Sequence, residues 1–197
     1  MKVVGVRFMN LLKNKKLILF DRILKEAPWR AVGWKDDDRR WELGVLDSYY
    51  SLANLDLNLH EEKKWLDVGS GNGLNAIPLA MMFPKWKGLF VEKNEKKACW
   101  LAETLKELAM EYEVLNSGVE KLIRKSKDYD IVTARALFPP QKSFDTLKRL
   151  LKKGGSLILF CGKDASVNSN KKFKIYMHKY QIESFREDRK LIIATRL

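Results

Sequence analysis

Leu66-Asp67-Val68-Gly69-Ser70-Gly71-Asn72-Gly73 is the stretch that decides the fold of this chain. Trp65, Leu66 and Val68 make a short apolar strand that runs into a turn with glycine at every second position. Leu74, Ile77, Ala80 and Met81 then recur at helical spacing, which predicts a helix from Asn72 to Phe83, stopped by Pro84. A strand, a glycine turn and a helix form a ligand-binding corner of an open α/β sheet, because glycine lets a ligand approach the backbone closely. The spacing here is G-x-G-x-G. A dinucleotide fingerprint is G-x-G-x-x-G, and Leu74 stands where its third glycine belongs.

The same alternation continues outward. Gly88 to Glu92 reads as a second strand, and Asn94 caps a helix with Ala98, Leu101, Leu105 and Leu108 on one face. Tyr112 to Asn116 and Tyr129 to Thr133 read as strands three and four. A helix from Gln141 to Leu151 is expected to end at Gly154-Gly155, with a fifth strand from Ser156 to Cys161. Ile182 to Glu187 and Leu191 to Thr195 read as a closing antiparallel hairpin across Asp188-Arg189-Lys190. Strands separated by helices imply right-handed crossovers and a mostly parallel sheet covered on both faces. The fold class is therefore α/β, with a Rossmann-like domain over residues 61–197 and a helical segment or lid over residues 1–60. Amphipathic pieces lie near 9–26 and 41–55.

The acidic residues next to the glycine turn narrow the ligand. A pyrophosphate favours an uncluttered helix N-terminus, whereas Asp67 places a carboxylate beside the turn. S-adenosylmethionine has no phosphate and carries an amino group and a sulfonium, which Asp67 can face. Glu92, nineteen residues beyond Gly73 at a strand's carboxyl end, is placed to accept hydrogen bonds from ribose hydroxyls. Asn116-Ser117-Gly118-Val119-Glu120 leaves strand three where an adenine ring would lie.

Composition bounds the rest. The 197 residues are 46% hydrophobic, too apolar for a disordered chain. No run of about 18 uncharged apolar residues could span a bilayer. Lys13, Lys15 and Lys16 interrupt the basic N-terminus before any signal-like apolar core forms, so a soluble cytoplasmic protein is expected. Cys99 and Cys161, His60 and His178 are too scattered for a zinc site, and no metal is expected. The net charge is +13, distributed as +3 over residues 1–60, +5 over 61–160 and +5 over 161–197. Such an excess draws polyanions at long range. With no basic tail, any polyanion-binding face has to be assembled by folding.

Four segments together resemble a known family. They are Asp67 to Gly73, Ile77-Pro78-Leu79-Ala80, Val91 to Lys97, and Thr133-Ala134-Arg135-Ala136. In this order and spacing they resemble the bacterial glucose-inhibited division protein B family, also called ribosomal small-subunit methyltransferase G. The resemblance runs from about Val45 to the C-terminus, with Leu46-Asp47-Ser48 and Arg189 to Ile193 matching further family segments. It implies a class I, seven-stranded S-adenosylmethionine-dependent methyltransferase acting on guanine N7 of 16S ribosomal RNA, alone or in the small subunit, and a monomer without membrane contact. The implied cofactor set is Asp67, Gly69, Ser70, Gly71, Gly73, Leu74, Glu92, Lys93, Gly118, Val119, Glu120 and Arg135. The family's Arg-His before Leu-Asp-Ser is replaced here by Leu43-Gly44, and the start of the first helix reads Leu74-Asn75-Ala76 instead of the family's Phe-Pro-Gly.

Guanine N7 carries a free lone pair at neutral pH, so its methylation needs orientation and no general base. No His-carboxylate pair stands at a strand end, in keeping with that chemistry. Arg135 is the expected catalytic residue, gripping O6 or a phosphate and leaving N7 free. An ion pair with Asp130 or Glu92 is the structural alternative. Lys163, Arg30, Arg39 and Arg40 are the expected RNA contacts. Trp29, Trp34 and Trp41 either stack on bases or, as favoured here, pack a helical lid. Cys161 is read as a buried strand cysteine in preference to a covalent nucleophile. Alternative functions are methylation of another base or a small molecule, or RNA binding on a degenerate fold. A nicotinamide dehydrogenase comes last.

Overall fold

The computed structural model describes residues 14–27, 37–52, 61–123, 128–168 and 170–197. Strand β1 (Lys63–Val68) leads through the glycine turn to helix α3 (Ala76–Met82), then β2 (Trp86–Glu92) and α4 (Glu95–Glu107). Next come β3 (Glu113–Asn116), α5 (Val119–Ile123), β4 (Tyr129–Arg135), α6 (Pro140–Leu147) and β5 (Leu151–Gly162). The chain closes with β6 (Phe173–Ile182) and β7 (Glu187–Arg196). Ahead of the sheet lie α1 (Lys15–Glu26), a π-type turn over Arg40–Val45 and α2 (Asp47–Leu52).

The seven strands are ordered β3-β2-β1-β4-β5-β7-β6. Strands β1 to β5 are parallel, and β7 inserts antiparallel between β5 and β6. Chain order reverses between β1 and β4. That is the switch point, and open α/β sheets hold ligands outside the carboxyl ends of the strands there. Alternation along each strand feeds two cores. Trp65, Phe90, Ile158 and Leu191 face the layer of α1, α3 and α4 through Leu17, Phe20, Ile77 and Leu101. Leu66, Val91, Leu157 and Ile192 face Val119, Phe144 and Leu147 on the other side.

An aromatic cluster pins the first strands. Trp65 meets Trp86 and Phe90 edge-on at 5.2 and 5.1 Å between ring centres, and Phe83 stacks on Trp86 at 4.4 Å. Such pairs contribute about 0.5–1.5 kcal/mol each beyond the area they bury. Asn14 caps α1 by accepting from the amides of Lys16 and Leu17, and Asn94 caps α4 through the amide of Lys97.

The α/β class and the closing antiparallel hairpin are present, but several boundaries differ from the sequence expectation. Helix α3 starts at Ala76, because residues 71–75 are held in turns by the glycines. Strand β3 begins at Glu113 instead of Tyr112. The helix expected to run to Leu151 ends at Leu147, with one 3-10 turn over Lys148–Leu150. Strand β5 is longer than expected and bulged, with Tyr129 opposite Leu151 and Ile131 opposite Ser156. The hairpin is displaced most. Its connection is Glu183–Phe185 and Arg186, not Asp188 to Lys190, and the latter residues pair within the ladder with Gln181, Tyr180 and Lys179. The expected helical piece near 41–55 is broken at Leu46 into the π-type turn and α2.

The bulge brings backbones unusually close. A Cβ added at Gly155 would stand 2.6 Å from the Tyr129 carbonyl oxygen and 3.1 Å from that of Lys152. These are main-chain atoms of paired strands and have no flexible end to give way. We expect Gly155→Ala to lower unfolding free energy by about 1–3 kcal/mol in urea titration.

Candidate cofactor and substrate cleft

The glycine turn is built on the carboxyl end of β1. Gly69, Gly71 and Gly73 adopt φ of 72°, 55° and 76°, left-handed conformations that side-chain-bearing residues rarely take. The amides of Gly69 and Ser70 donate to the Val91 carbonyl at 2.8 and 3.1 Å, binding the turn to the end of β2. Glu92 closes the arrangement. Its carboxylate accepts from the amide of Gly71 at 2.9 Å and from that of Asn94 at 2.8 Å. Its carbonyl accepts from the Ser117 amide and the Asn116 side chain, fixing the loop after β3 beside it.

These loops enclose a cavity of about 380 Å³ lined by Gly69, Gly71, Glu92, Lys93, Gly118, Val119, Glu120 and Arg135, together with Val68, Val91, Lys97, Ser117, Ala136, Leu137 and Phe138. Its volume falls in the range of small-molecule sites. The Cβ position of Gly71 is open, with only the Gly69 carbonyl oxygen at 3.8 Å, so a ligand can lie against this backbone. Lys97, Ser117, Ala136, Leu137 and Phe138 are outside the cofactor set expected from the sequence, although Ser117, Ala136 and Lys97 fall within the segments quoted there. Lys97 reads in sequence as a solvated helix charge.

Asp67, Ser70, Gly73 and Leu74 do not line this cavity. Asp67 is 1% exposed and points into the protein. Its Oδ1 accepts from Thr133 Oγ1 and from Asn75 Nδ2 at 2.9 Å. Trp65 Nε1 donates to Thr133 Oγ1, and Ser48 Oγ donates to Asn75 Oδ1, both at 2.8 Å. Burial raises the Asp67 pKa above its ordinary value, against the opposing hydrogen bonds from Thr133 and Asn75. The expectation that Asp67 faces a ligand cation is therefore corrected: it braces the turn from behind. Ser70 hydroxyl donates to the Asp67 carbonyl, and a Cβ at Gly73 would meet Ile77 and Leu101 of the core.

Arg135 has neither of the partners considered from the sequence. Its Nη1 donates to the Gly44 carbonyl at 3.0 Å and its Nη2 to the Leu43 carbonyl at 2.8 Å, while Asp47 Oδ2 lies 3.4 Å from Nη1. It thus fastens the segment before α2 to the end of β4, and it still contributes to the wall of the cofactor-sized cavity. Ala136 follows at φ 52°, a conformation that costs an L-residue about 1–2 kcal/mol. Tyr180 hydroxyl donates to Asp47 Oδ1 at 2.7 Å, completing the clamp from β6.

A second cavity of about 250 Å³ adjoins the first across Arg135 to Phe138, and is otherwise lined by Asp47, Pro140, Ser143, Leu159 to Gly162 and Arg189. Cys161 lies in its wall, and burial pushes its thiol up to about 11. A larger depression of about 910 Å³ runs along Lys64, Trp86, Lys87 and Tyr112 at the opposite, amino-terminal rim of the strands. By its place in the sheet it is the wrong end for a ligand in this architecture.

The expected RNA contacts scatter. Arg40 is 4% exposed and paired with Asp21 at 2.9 Å, and the Arg39 guanidinium lies over the Phe185 ring. Lys163 is exposed beside Asp164 and Arg186 to Arg189. Trp41 packs partly buried against the core. Arg30, Trp29 and Trp34 lie outside the described residues. Among the described residues no helix is long and apolar enough to cross a membrane, and no group of three or more His, Cys, Asp or Glu is arranged to hold a metal.

Comparison with known proteins agrees with this layout. Among solved structures, a SAM-dependent methyltransferase from Aquifex aeolicus superposes with a TM-score of 0.60 at 20% identity, covering 82% of this chain and 95% of that one. Magnesium protoporphyrin IX methyltransferase from Synechocystis PCC 6803 superposes at 0.59 and 15% identity over 93% and 98% of the two chains. The fold is thus that of class I methyltransferases. Among sequences, ribosomal RNA small subunit methyltransferase G of Prochlorococcus marinus subsp. pastoris is 27% identical over 165 residues, 79% of this chain and 69% of that protein. Its counterpart in Mycolicibacterium smegmatis is 31% identical over 157 residues, 76% of this chain and 63% of the relative. The Chlorobaculum tepidum protein is 38% identical over 104 residues, 52% and 46% respectively. The model of the rRNA small subunit methyltransferase G family matches residues 13–192, and the chain belongs to that family.

Proposed function

We propose that this protein is an S-adenosylmethionine-dependent methyltransferase of small-subunit ribosomal RNA, acting on guanine N7. The observation that carries the reading is the cavity of about 380 Å³ where Gly69, Gly71 and Glu92 meet the loop after β3, at the switch point of a class I sheet. The residues present suit this cofactor. Glu92 offers its carboxylate to ribose hydroxyls, Gly118 to Glu120 flank the adenine, and Gly69 and Gly71 leave backbone free for the methionine portion. When bound, S-adenosylmethionine supplies an electrophilic methyl on its sulfonium.

The protein's own task is then to hold and orient. The second cavity shares Arg135 to Phe138 with the first and receives the target base, so its walls set the approach of N7 toward the cofactor. Placement of this kind can supply up to about 7–11 kcal/mol of the barrier in favourable cases. Arg135 acts here as a positioning residue, because its guanidinium is engaged by Leu43, Gly44 and Asp47. Residues 1–60 contribute Asp47 of α2 to the substrate side, and residues 61–197 carry the cofactor. Small-subunit RNA or a small-subunit particle is the partner, the protein works as a monomer in the cytoplasm, and no metal takes part.

The deciding experiment is methylation of small-subunit particles and of naked rRNA in vitro, followed by nucleoside mass spectrometry. The expected product is 7-methylguanosine; another methylated nucleoside, or none, would overturn the assignment. Glu92→Gln removes the charge and leaves one acceptor oxygen where the Gly71 and Asn94 amides use two. It should weaken S-adenosylmethionine binding by roughly tenfold or more in calorimetry, as losing a hydrogen bond to a charged group does. Because the Cys161 thiol stays protonated at neutral pH and N7 needs no covalent activation, Cys161→Ser should methylate at the wild-type rate. Loss of activity in that variant would indicate a nucleophilic cysteine.

A further inference from the structure

Strand β6 carries a row of aromatic side chains that the cofactor and base cavities do not use. Side chains alternate along a strand, so Lys174, Tyr176, His178 and Tyr180 share one face of β6. The Tyr176 and His178 rings lie nearly parallel, 19° apart with centres separated by 6.4 Å. His178 and Tyr180 follow at 11° and 6.2 Å. The row is graded in exposure, from Tyr176 at 53% to Tyr180, whose hydroxyl is engaged by Asp47.

Its two ends differ in what they meet. Tyr180 pairs across the ladder with Arg189, which lines the base cavity. The inner end therefore opens at the carboxyl ends of the strands, beside the clamp between Asp47 and Arg135. The whole row lies on the edge strand of the sheet, and among the described residues no further strand lies beyond it. From Lys171 to Ile182 the sequence has four lysines and no acidic residue, and Lys171, Lys172 and Lys174 are exposed. Among the described residues only four large hydrophobic side chains are exposed, and Tyr176 of this row is one of them.

An exposed aromatic row flanked by lysines and leading to a cleft matches the chemistry that single-stranded nucleic acid requires. Bases stack on the rings, and the lysines meet the phosphates. The geometry points to this face of β6 as a stacking track for an unpaired segment of the substrate RNA, feeding the target nucleotide past Tyr180 and Arg189 into the base cavity. The inference rests on the reading of the chain as an RNA methyltransferase and adds to it the surface that holds the strand. Tyr176 and His178 supply the stacking surfaces. Tyr180, tied to Asp47, fixes the inner end of the row.

The test uses the full chain, a fluorescently labelled single-stranded 12-nucleotide RNA of mixed sequence, and small-subunit rRNA as the methylation substrate. Tyr176→Ala should weaken binding of the oligonucleotide by roughly tenfold, the scale of one lost base–aromatic stack. The same variant should raise KM for rRNA, leaving kcat at saturating rRNA and the affinity for S-adenosylmethionine unchanged. Tyr176→Trp should restore both binding and KM. Equal RNA affinity and KM in wild type and Tyr176→Ala would overturn the track while leaving the methyltransferase reading in place. A wild-type protein that binds S-adenosylmethionine but neither binds RNA nor methylates rRNA would overturn both. Conversion of a dimer to a monomer by Tyr176→Ala, with RNA affinity unaltered, would assign the face to a second copy of the chain and also overturn the track.

Discussion

A buried carboxylate is tolerated only when its hydrogen bonds are made, and the placement of the whole cleft depends on how this protein makes those of Asp67. The residue sits on β1 opposite Thr133 of β4, at the switch point of the sheet. Thr133 and Asn75 donate to it, Trp65 donates to Thr133, and Ser48 donates to Asn75. One chain of polar contacts therefore joins α2, the start of α3 and the two central strands. All five residues are buried. Removing any member leaves an unpaired polar group in the interior, which costs about 1–3 kcal/mol. The glycine turn is flexible in principle, but it is held between this network behind it and Glu92 in front.

How much of this was legible beforehand follows from what each signal depends on. The buried apolar runs of β1, β2, β4 and β5 are what a one-dimensional pattern locates, with Gly69, Pro84 and Gly154-Gly155 as punctuation. Glycine spacing and the distance to Glu92 likewise need no tertiary knowledge. The edge strand β6 was missed because half of its side chains face solvent and four lysines crowd residues 171–179. The hairpin connection was misplaced for a related reason. Arg186 takes the left-handed conformation at φ 50° although it is not a glycine or asparagine, while the charged run Asp188 to Lys190 looks like a loop and is in fact paired strand.

Within the site, the errors concern direction, not location. Asp67 and Arg135 are both legible in the sequence; Asp67 points away from the cavity, and Arg135 lines it while its guanidinium is engaged by the segment before α2. A sequence places a side chain on an element but does not say which neighbour claims it. Asp67 is claimed by Asn75, a position where this chain departs from the family pattern it resembles. Arg135 is claimed by the carbonyls of Leu43 and Gly44, the other such position. The carbonyl contacts are main-chain, so the identity of residues 43 and 44 matters less to the clamp than their path. Asp47 and Tyr180, each distant from Arg135 in sequence, complete it through side chains.

This division of labour fits a reaction that asks for little proton chemistry. Where the nucleophile already holds its lone pair and the electrophile arrives on a cofactor, the enzyme contributes chiefly by fixing distance and angle. Buried polar contacts are well suited to that, because each has one satisfied geometry and a cost for leaving it. Among the described residues, the polar groups nearest the cleft are mostly occupied with one another: Glu92 with Gly71 and Asn94, Asp47 with Tyr180 and Arg135, Asp67 with Thr133 and Asn75. Such a site has its walls set before substrate arrives, and the ordering entropy that binding would otherwise cost is already met by folding. The large positive charge then serves the earlier stage of the encounter, drawing a polyanion toward a cleft whose shape is fixed.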